Sequence, residues 1–219
     1  MHQWTLRDWL RGRFAFMMIA MLFLFGAGLI LYPRAVEYVQ ERKETKLLTD
    51  WGDVASLRQG STSVRTVDNG GKKLADASAL PVWSTVGGVE VLGTVENERI
   101  SLKEPIVRGA DAAALKKGAG TVVEGRLPGQ SGNFVLASHR SLTYGRHFNR
   151  LGEIVEGDTF AVNTSAGVFR YVVSSITVVE PDDSSVLADE PSASTLTLIT
   201  CTPWKHPTHR LIVKANLQS

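Results

Sequence analysis

A lone thiol, a set of histidines and one arginine are the residues of this chain with types and spacing suited to chemistry. The thiol is Cys201, the only cysteine among 219 residues. It attacks as a thiolate and so needs a partner to take its proton. His139 stands in a Ser-His-Arg setting at the end of an apolar run, a loop-like place where functional side chains gather. His147, His206 and His209 are further candidates, while His2 sits on the N-terminal tail. Arg210 carries a permanent charge and a planar fork of donors, suited to holding an oxyanion. Together Cys201, His139 and Arg210 would supply nucleophile, acid–base group and anion stabiliser. Two other readings stand beside this one. An isolated cysteine also packs as a small buried hydrophobe. Cys201, His206 and His209 also have the compact spacing of half a zinc site, with no second cluster to complete it.

The elements that must position these groups follow from local pattern. Residues 195–200, TLTLIT, alternate β-branched side chains with leucine, which predicts a strand ending at Cys201. Pro203 and Pro207 break it into a loop, and a second strand starts at Arg210. Residues 133–137 predict a strand that delivers His139. Further strands are expected over 89–95, 100–107, 159–163 and 168–179, the second disturbed by Pro105. Short helices are expected at 110–117 and 147–153, and an acidic loop at 181–191. Many short strands separated by glycine turns predict a mostly β domain built as a barrel.

Composition bounds the rest. Residues 14–32, FAFMMIAMLFLFGAGLILY, carry no charge and as a helix would be about 28 Å long, enough for a bilayer core. Tyr32, Pro33 and Arg34 follow where a cleavage site would need small residues, so the segment reads as a retained transmembrane anchor. Arg7, Arg11 and Arg13 on the short tail favour a cytoplasmic N-terminus, with residues 33–219 on the far side of the cell membrane. Residues 1–13 are then a tail, 33–87 a stalk, linker and N-terminal extension, and 88–219 the folded domain. Residues 51–219 balance 17 Lys and Arg against 17 Asp and Glu, which argues against a nucleic-acid partner. One cysteine allows no intrachain disulfide.

With these residues in view, TLTLITC (195–201) followed by an arginine in THRLIV (208–213) resembles the signature of the sortases, cysteine transpeptidases of bacterial surfaces. GNFVLASHR (132–140) resembles the strand that delivers the family's histidine, and residues 91–120 its opening strands. The resemblance implies an eight-stranded β-barrel with short helices behind an N-terminal membrane helix. It implies that Cys201 attacks the Thr–Gly bond of an LPxTG-like or LAxTG-like sorting signal on a secreted protein. A thioester would form, and an amine of a peptidoglycan precursor or a pilin lysine would resolve it. His139 would be the acid–base group and Arg210 the oxyanion and substrate holder, with Ser138, Thr200 and Thr202 as substrate contacts. No cofactor or metal is expected. HRSLTYGRHFNRLGE (139–153) is similar to class E housekeeping enzymes, and TCTPWKHPTHRLIV (200–213) to class C pilin polymerases. The balance falls to class E. A non-catalytic anchored barrel is the further alternative. The loop GAGTVVEGRLPG (118–129) departs from both classes at Thr121 and Gly125-Arg126.

Overall fold

The computed structural model describes residues 6–59, 80–141 and 147–218. Two compact units divide the chain, Met1–Arg42 and Lys43–Ser219. The first is helical, the larger part of an α-helix, α1 (Leu6–Gln59). Its described side chains between Phe16 and Tyr32 are apolar and largely exposed, among them Phe23, Leu24 and Ile30. Among the described residues no helix is long and apolar enough to cross a membrane. The side chains at positions 14 and 15 of the expected span lie outside the described residues.

Among its described residues the second unit has nine strands: β1 (Ser84–Val86), β2 (Val89–Asn97), β3 (Leu102–Val107), β4 (Ala119–Thr121), β5 (Gly132–Ala137), β6 (Thr159–Thr164), β7 (Gly167–Val179), β8 (Ser194–Thr202) and β9 (His209–Leu217). They are ordered β1-β2-β3-β4-β5-β8-β9-β7-β6, and β2 also pairs with β6. That extra pairing closes β2 to β9 into the expected eight-stranded barrel, which leaves no long open edge. The inner faces are filled by alternate residues, Leu196 and Leu198 on β8, Leu211 and Val213 on β9, Phe134 and Leu136 on β5. Each of these aliphatic or aromatic side chains, once fully buried, stabilises by about 1.5–3 kcal/mol. Tyr171 is wholly buried in the same core and its hydroxyl accepts from Gly129 N–H at 2.8 Å; burial pushes its pKa up to about 12.

Several local expectations differ from what is observed. The segment 110–117 forms turns instead of a helix. Asp111 Oδ1 accepts from Ala113 and Ala114 N–H, which caps one turn. Lys117 N–H then bonds Ala114 C=O in a tighter pattern. The segment ends at Gly118, where a Cβ would lie 2.2 Å from Pro105 O. At 147–153 only Leu151–Glu153 is helical, as one 3₁₀ turn. His147 has φ 50°, a left-handed value that cannot open a helix. A second 3₁₀ turn, Ser184–Leu187, lies in the acidic loop, with Asp183 capping Ser185 N–H. Pro105 lies where β3 has little ladder on one side, because β4 pairs with it only at Ile106 and Val107.

The sheet also begins ahead of residue 88. β1 pairs with β2, and Trp83 before it packs on the main core with the Arg108 guanidinium 4.3 Å over its ring. Leu47 and Trp51 of the last turns of α1 join Val86, Val91, Val107 and Ala114 in a smaller apolar cluster. Part of the expected stalk is thus packed structure; residues 60–79 lie outside the described residues.

The seam between β2 and β6 is very close. A Cβ on Gly93 would fall 1.8 Å from Asn163 O, which is backbone and has nowhere to move without opening the barrel. Gly93→Ala is expected to cost about 3 kcal/mol or more, at the upper end of overpacking penalties. Thermal unfolding of the variant checks this, and a melt superimposable on wild type would contradict the seam.

Candidate active site

β8 is the strand that organises the site. It pairs in parallel with β5 and antiparallel with β9, so it has a partner on each side. Leu196, Leu198 and Thr200 point into the barrel; by the two-residue period Ile199 and Cys201 point out. Cys201 is half-buried and directly opposite Arg210 in the β8–β9 ladder. Residues directly opposite each other share a face, so thiol and guanidinium project together from the outer surface. The Arg210 Nη1 donates to His209 C=O at 3.2 Å, and among the described residues no carboxylate is paired with it.

The parallel register brings His139 to the same end. Ala137 is level with Ile199, and Ser138 N–H continues the ladder to Ile199 C=O at 3.1 Å. Two residues beyond the Ala137–Ile199 pair come His139 and Cys201, on the same face by alternation. Three adjacent strands thus bring His139, Cys201 and Arg210 to one end of one face. His139 is exposed as a residue, yet its ring is partly desolvated. That burial holds its pKa below the usual 6.5, a positive charge on His147 acts in the same direction, Glu104 opposes and Lys116 adds a small depression.

Ser138 and Thr200, expected to touch substrate, are buried and face inward. Thr200 Oγ1 donates to Ser138 C=O at 2.9 Å, and Ser138 Oγ donates to Glu104 Oε1 at 2.7 Å. They hold β5 to β8 and to β3 and present no surface to a ligand. Thr202 is half-buried, and its hydroxyl accepts from Arg140 Nη1 at 2.8 Å. His209 pairs with Glu180 at 3.2 Å and with Thr208 Oγ1 at 2.8 Å, away from the thiol.

Residues not singled out from the sequence complete the arrangement. Besides Thr202, Arg140 reaches Cys201 C=O at 3.4 Å and Asn149 C=O at 3.4 Å, and its guanidinium lies against Gly152. Trp204 Nε1 donates to Ser141 C=O at 2.9 Å, tying the β8–β9 loop to the segment after His139. Behind His139, buried Glu104 lies 2.7 Å from His147 Nδ1. At the other end, the outer face is covered. Asn133 Nδ2 donates to Val186 and Ala188 C=O, and its Oδ1 accepts from Thr197. The loop over it is fastened by Arg126 to Asp189 and by Lys214 to Glu190.

Comparison with known proteins gives the family of the chain. The sortase-domain family profile matches residues 95–218, more than half of the chain. The chain belongs to the sortase family. It is similar to sortase D of Bacillus subtilis (strain 168), 30% identical over 193 residues, covering 84% of this chain and 89% of that protein. A crystal structure of sortase C1 from Streptococcus agalactiae superposes with TM-score 0.55 at 30% identity, covering 59% of this chain and 68% of the other. A Clostridium perfringens sortase D5 transpeptidase shares the fold with TM-score 0.60 at 23% identity, covering 81% and 99%. Relatives named as sortases A, C and D therefore all resemble this sortase domain.

The inward hydroxyls generate a test. Thr200→Val removes the donor to Ser138 C=O without changing shape, leaving a buried carbonyl short of a partner. A loss of about 1–2 kcal/mol in denaturant unfolding is expected. Activity at saturating substrate should stay within a few-fold of wild type, whereas a hydroxyl that bound substrate would show as a raised KM.

Proposed function

We propose that this chain is a membrane-anchored cysteine transpeptidase that joins secreted proteins to the cell surface, with Cys201 as nucleophile, His139 as acid–base group and Arg210 as anion holder. The observation that carries the reading is the direct Cys201–Arg210 pairing, with His139 delivered one strand away on the same outer face. His139, held below the ordinary imidazole value, is neutral at pH 7 and fit to take the thiol proton. The sulfur then adds to the Thr–Gly carbonyl of an LPxTG-like or LAxTG-like signal. The oxyanion that forms accepts hydrogen bonds from Arg210, charge-assisted and stronger in a partly dry site. Collapse of the adduct breaks the C–N bond. His139 returns the proton to the departing glycine amine, and a thioester remains. An incoming amine, which gives its proton to His139, attacks the thioester and regenerates the thiol. No step calls for a cofactor.

The uncharged residues 14–32 support a single membrane-spanning anchor, with the barrel on the extracytoplasmic side. The amine acceptor of this reading is a peptidoglycan precursor, in a class E-like housekeeping role, on the likeness of residues 139–153. A pilin-polymerising role with a lysine acceptor is the second reading. It is favoured by the TCTPWKHPTHRLIV stretch and by the 30% identity to the S. agalactiae sortase C1.

The full chain in detergent, given LPxTG and LAxTG peptides with hydroxylamine, is expected to release the C-terminal fragment and form the hydroxamate. Cys201→Ala should abolish this, and Arg210→Lys should lower kcat by about 10²-fold or more, because an ammonium lacks the fork. The acid limb of kcat/KM should lie below pH 6.5 if His139 acts as base, since protonation of a ring with depressed pKa begins only at lower pH. Wild-type turnover by Cys201→Ala would end the reading.

A further inference from the structure

Glu104 is an unusual residue to find at its position. It sits on β3, 1% exposed, inside a barrel filled mostly with aliphatic and aromatic side chains. Oε1 accepts from Ser138 Oγ and lies 2.7 Å from His147 Nδ1, while Oε2 is buried with no hydrogen-bond partner. A half-satisfied buried carboxylate is a poor stabiliser, and an apolar residue of similar size would pack there at less cost. Both groups it holds belong to the surroundings of His139. Ser138 is its neighbour in the chain. His147 sets its ring edge-on to His139, centroids 6.4 Å apart at 72°, and the next residue, Phe148, donates its N–H to His139 C=O at 3.1 Å. The left-handed backbone at His147 is part of what turns that ring inward.

We propose that Glu104 and His147 are a positioning pair for His139, the carboxylate holding a proton on His147 so that a cationic edge faces the His139 ring and keeps it neutral and in place. This rests on the reading of His139 as the acid–base group. The pair does not touch substrate; it acts only through His139. The other charged groups bearing on His139 among the described residues are Lys116, from the turn after β3, and Arg140 and Arg210 beside the site. None of these replaces the contact, since Arg140 is committed to Thr202 and to main-chain carbonyls.

The test is histidine ring NMR on the full chain in detergent, with ¹³C and ¹⁵N in the imidazoles. In wild type, both ring nitrogens of His147 are expected to stay protonated from pH 5 to 8; a neutral ring across that range would overturn the proposal without any variant. His147→Asn, which tolerates the left-handed backbone, leaves the Glu104 carboxylate facing His139 without its cation. The His139 midpoint should rise by about half a pH unit or more, roughly threefold in proton affinity. Glu104→Gln should raise it less, and Glu104→Asp should restore much of the wild-type value. Midpoints unchanged in folded variants would sink the pair. The acid limb of kcat/KM should move with the midpoint. A moved midpoint with an unmoved limb would leave the pair standing and remove His139 from the acid–base role.

Discussion

One constraint governs this molecule: β8 is paired on both sides, in parallel with β5 and antiparallel with β9. Because side chains on a strand alternate with a period of two, a slip of one residue on either side would turn every group to the opposite face. The register is enforced from within. Leu196 and Leu198 are fully buried, as are Leu136 and Val213 beside them, and moving them outward would forfeit several kcal/mol of burial. The hydroxyl of Thr200 on the inner face adds a polar check, since its bond to Ser138 forms only when Ser138 is level with it. Core packing on one face thereby dictates which three side chains meet on the other. The sulfur, imidazole and guanidinium need no strong mutual attraction to find each other.

Around that frame the polar contacts divide into two kinds. Asn133, Arg126 and Lys214 fasten the loop over the start of β5 and β8, and Arg140 and Trp204 tie together the segments that leave the ends of those strands. Apart from buried Asn133, these use exposed or half-exposed groups, and each of those adds about 1 kcal/mol or less. Glu104 is of the other kind. It is buried, incompletely satisfied and costly, and it lies behind the one side chain whose protonation matters most to the proposed chemistry.

The parts legible in the sequence were those carried by local pattern. The alternation over 195–200, the prolines at 203 and 207 and the apolar run before His139 are short-range signals, and they placed β8, β9 and β5 well. Eight strands and closure also followed, with the family resemblance giving the number. The two expected helices failed for local reasons: His147 has a positive φ, and 110–117, though it ends at Gly118 as expected, closes as turns around the Asp111 cap. Ser138 and Thr200 looked like substrate contacts because they flank His139 and Cys201. Being one residue away on a strand is what turns them inward. Arg140 and Glu104 were not found, and His147, a candidate by residue type, was not linked to Glu104, because their partners lie across the sheet, and nothing in the spacing of the letters KEP or GRH records a contact between them. His147 and Glu104 are 43 residues apart in the chain.

The order of strands has one more implication. β8 and β9 are joined by a short loop, so thiol and guanidinium come from a hairpin, a contact with little loop entropy to overcome. His139 arrives through a parallel pairing with a strand about sixty residues further along, and such long-range pairing is slow. The β8–β9 pairing alone is enough to set the sulfur beside a positive charge, whereas the imidazole is added only by the long-range β5–β8 pairing. In the proposed reaction, acyl transfer therefore waits for the closed barrel, where imidazole, sulfur and guanidinium stand on one face.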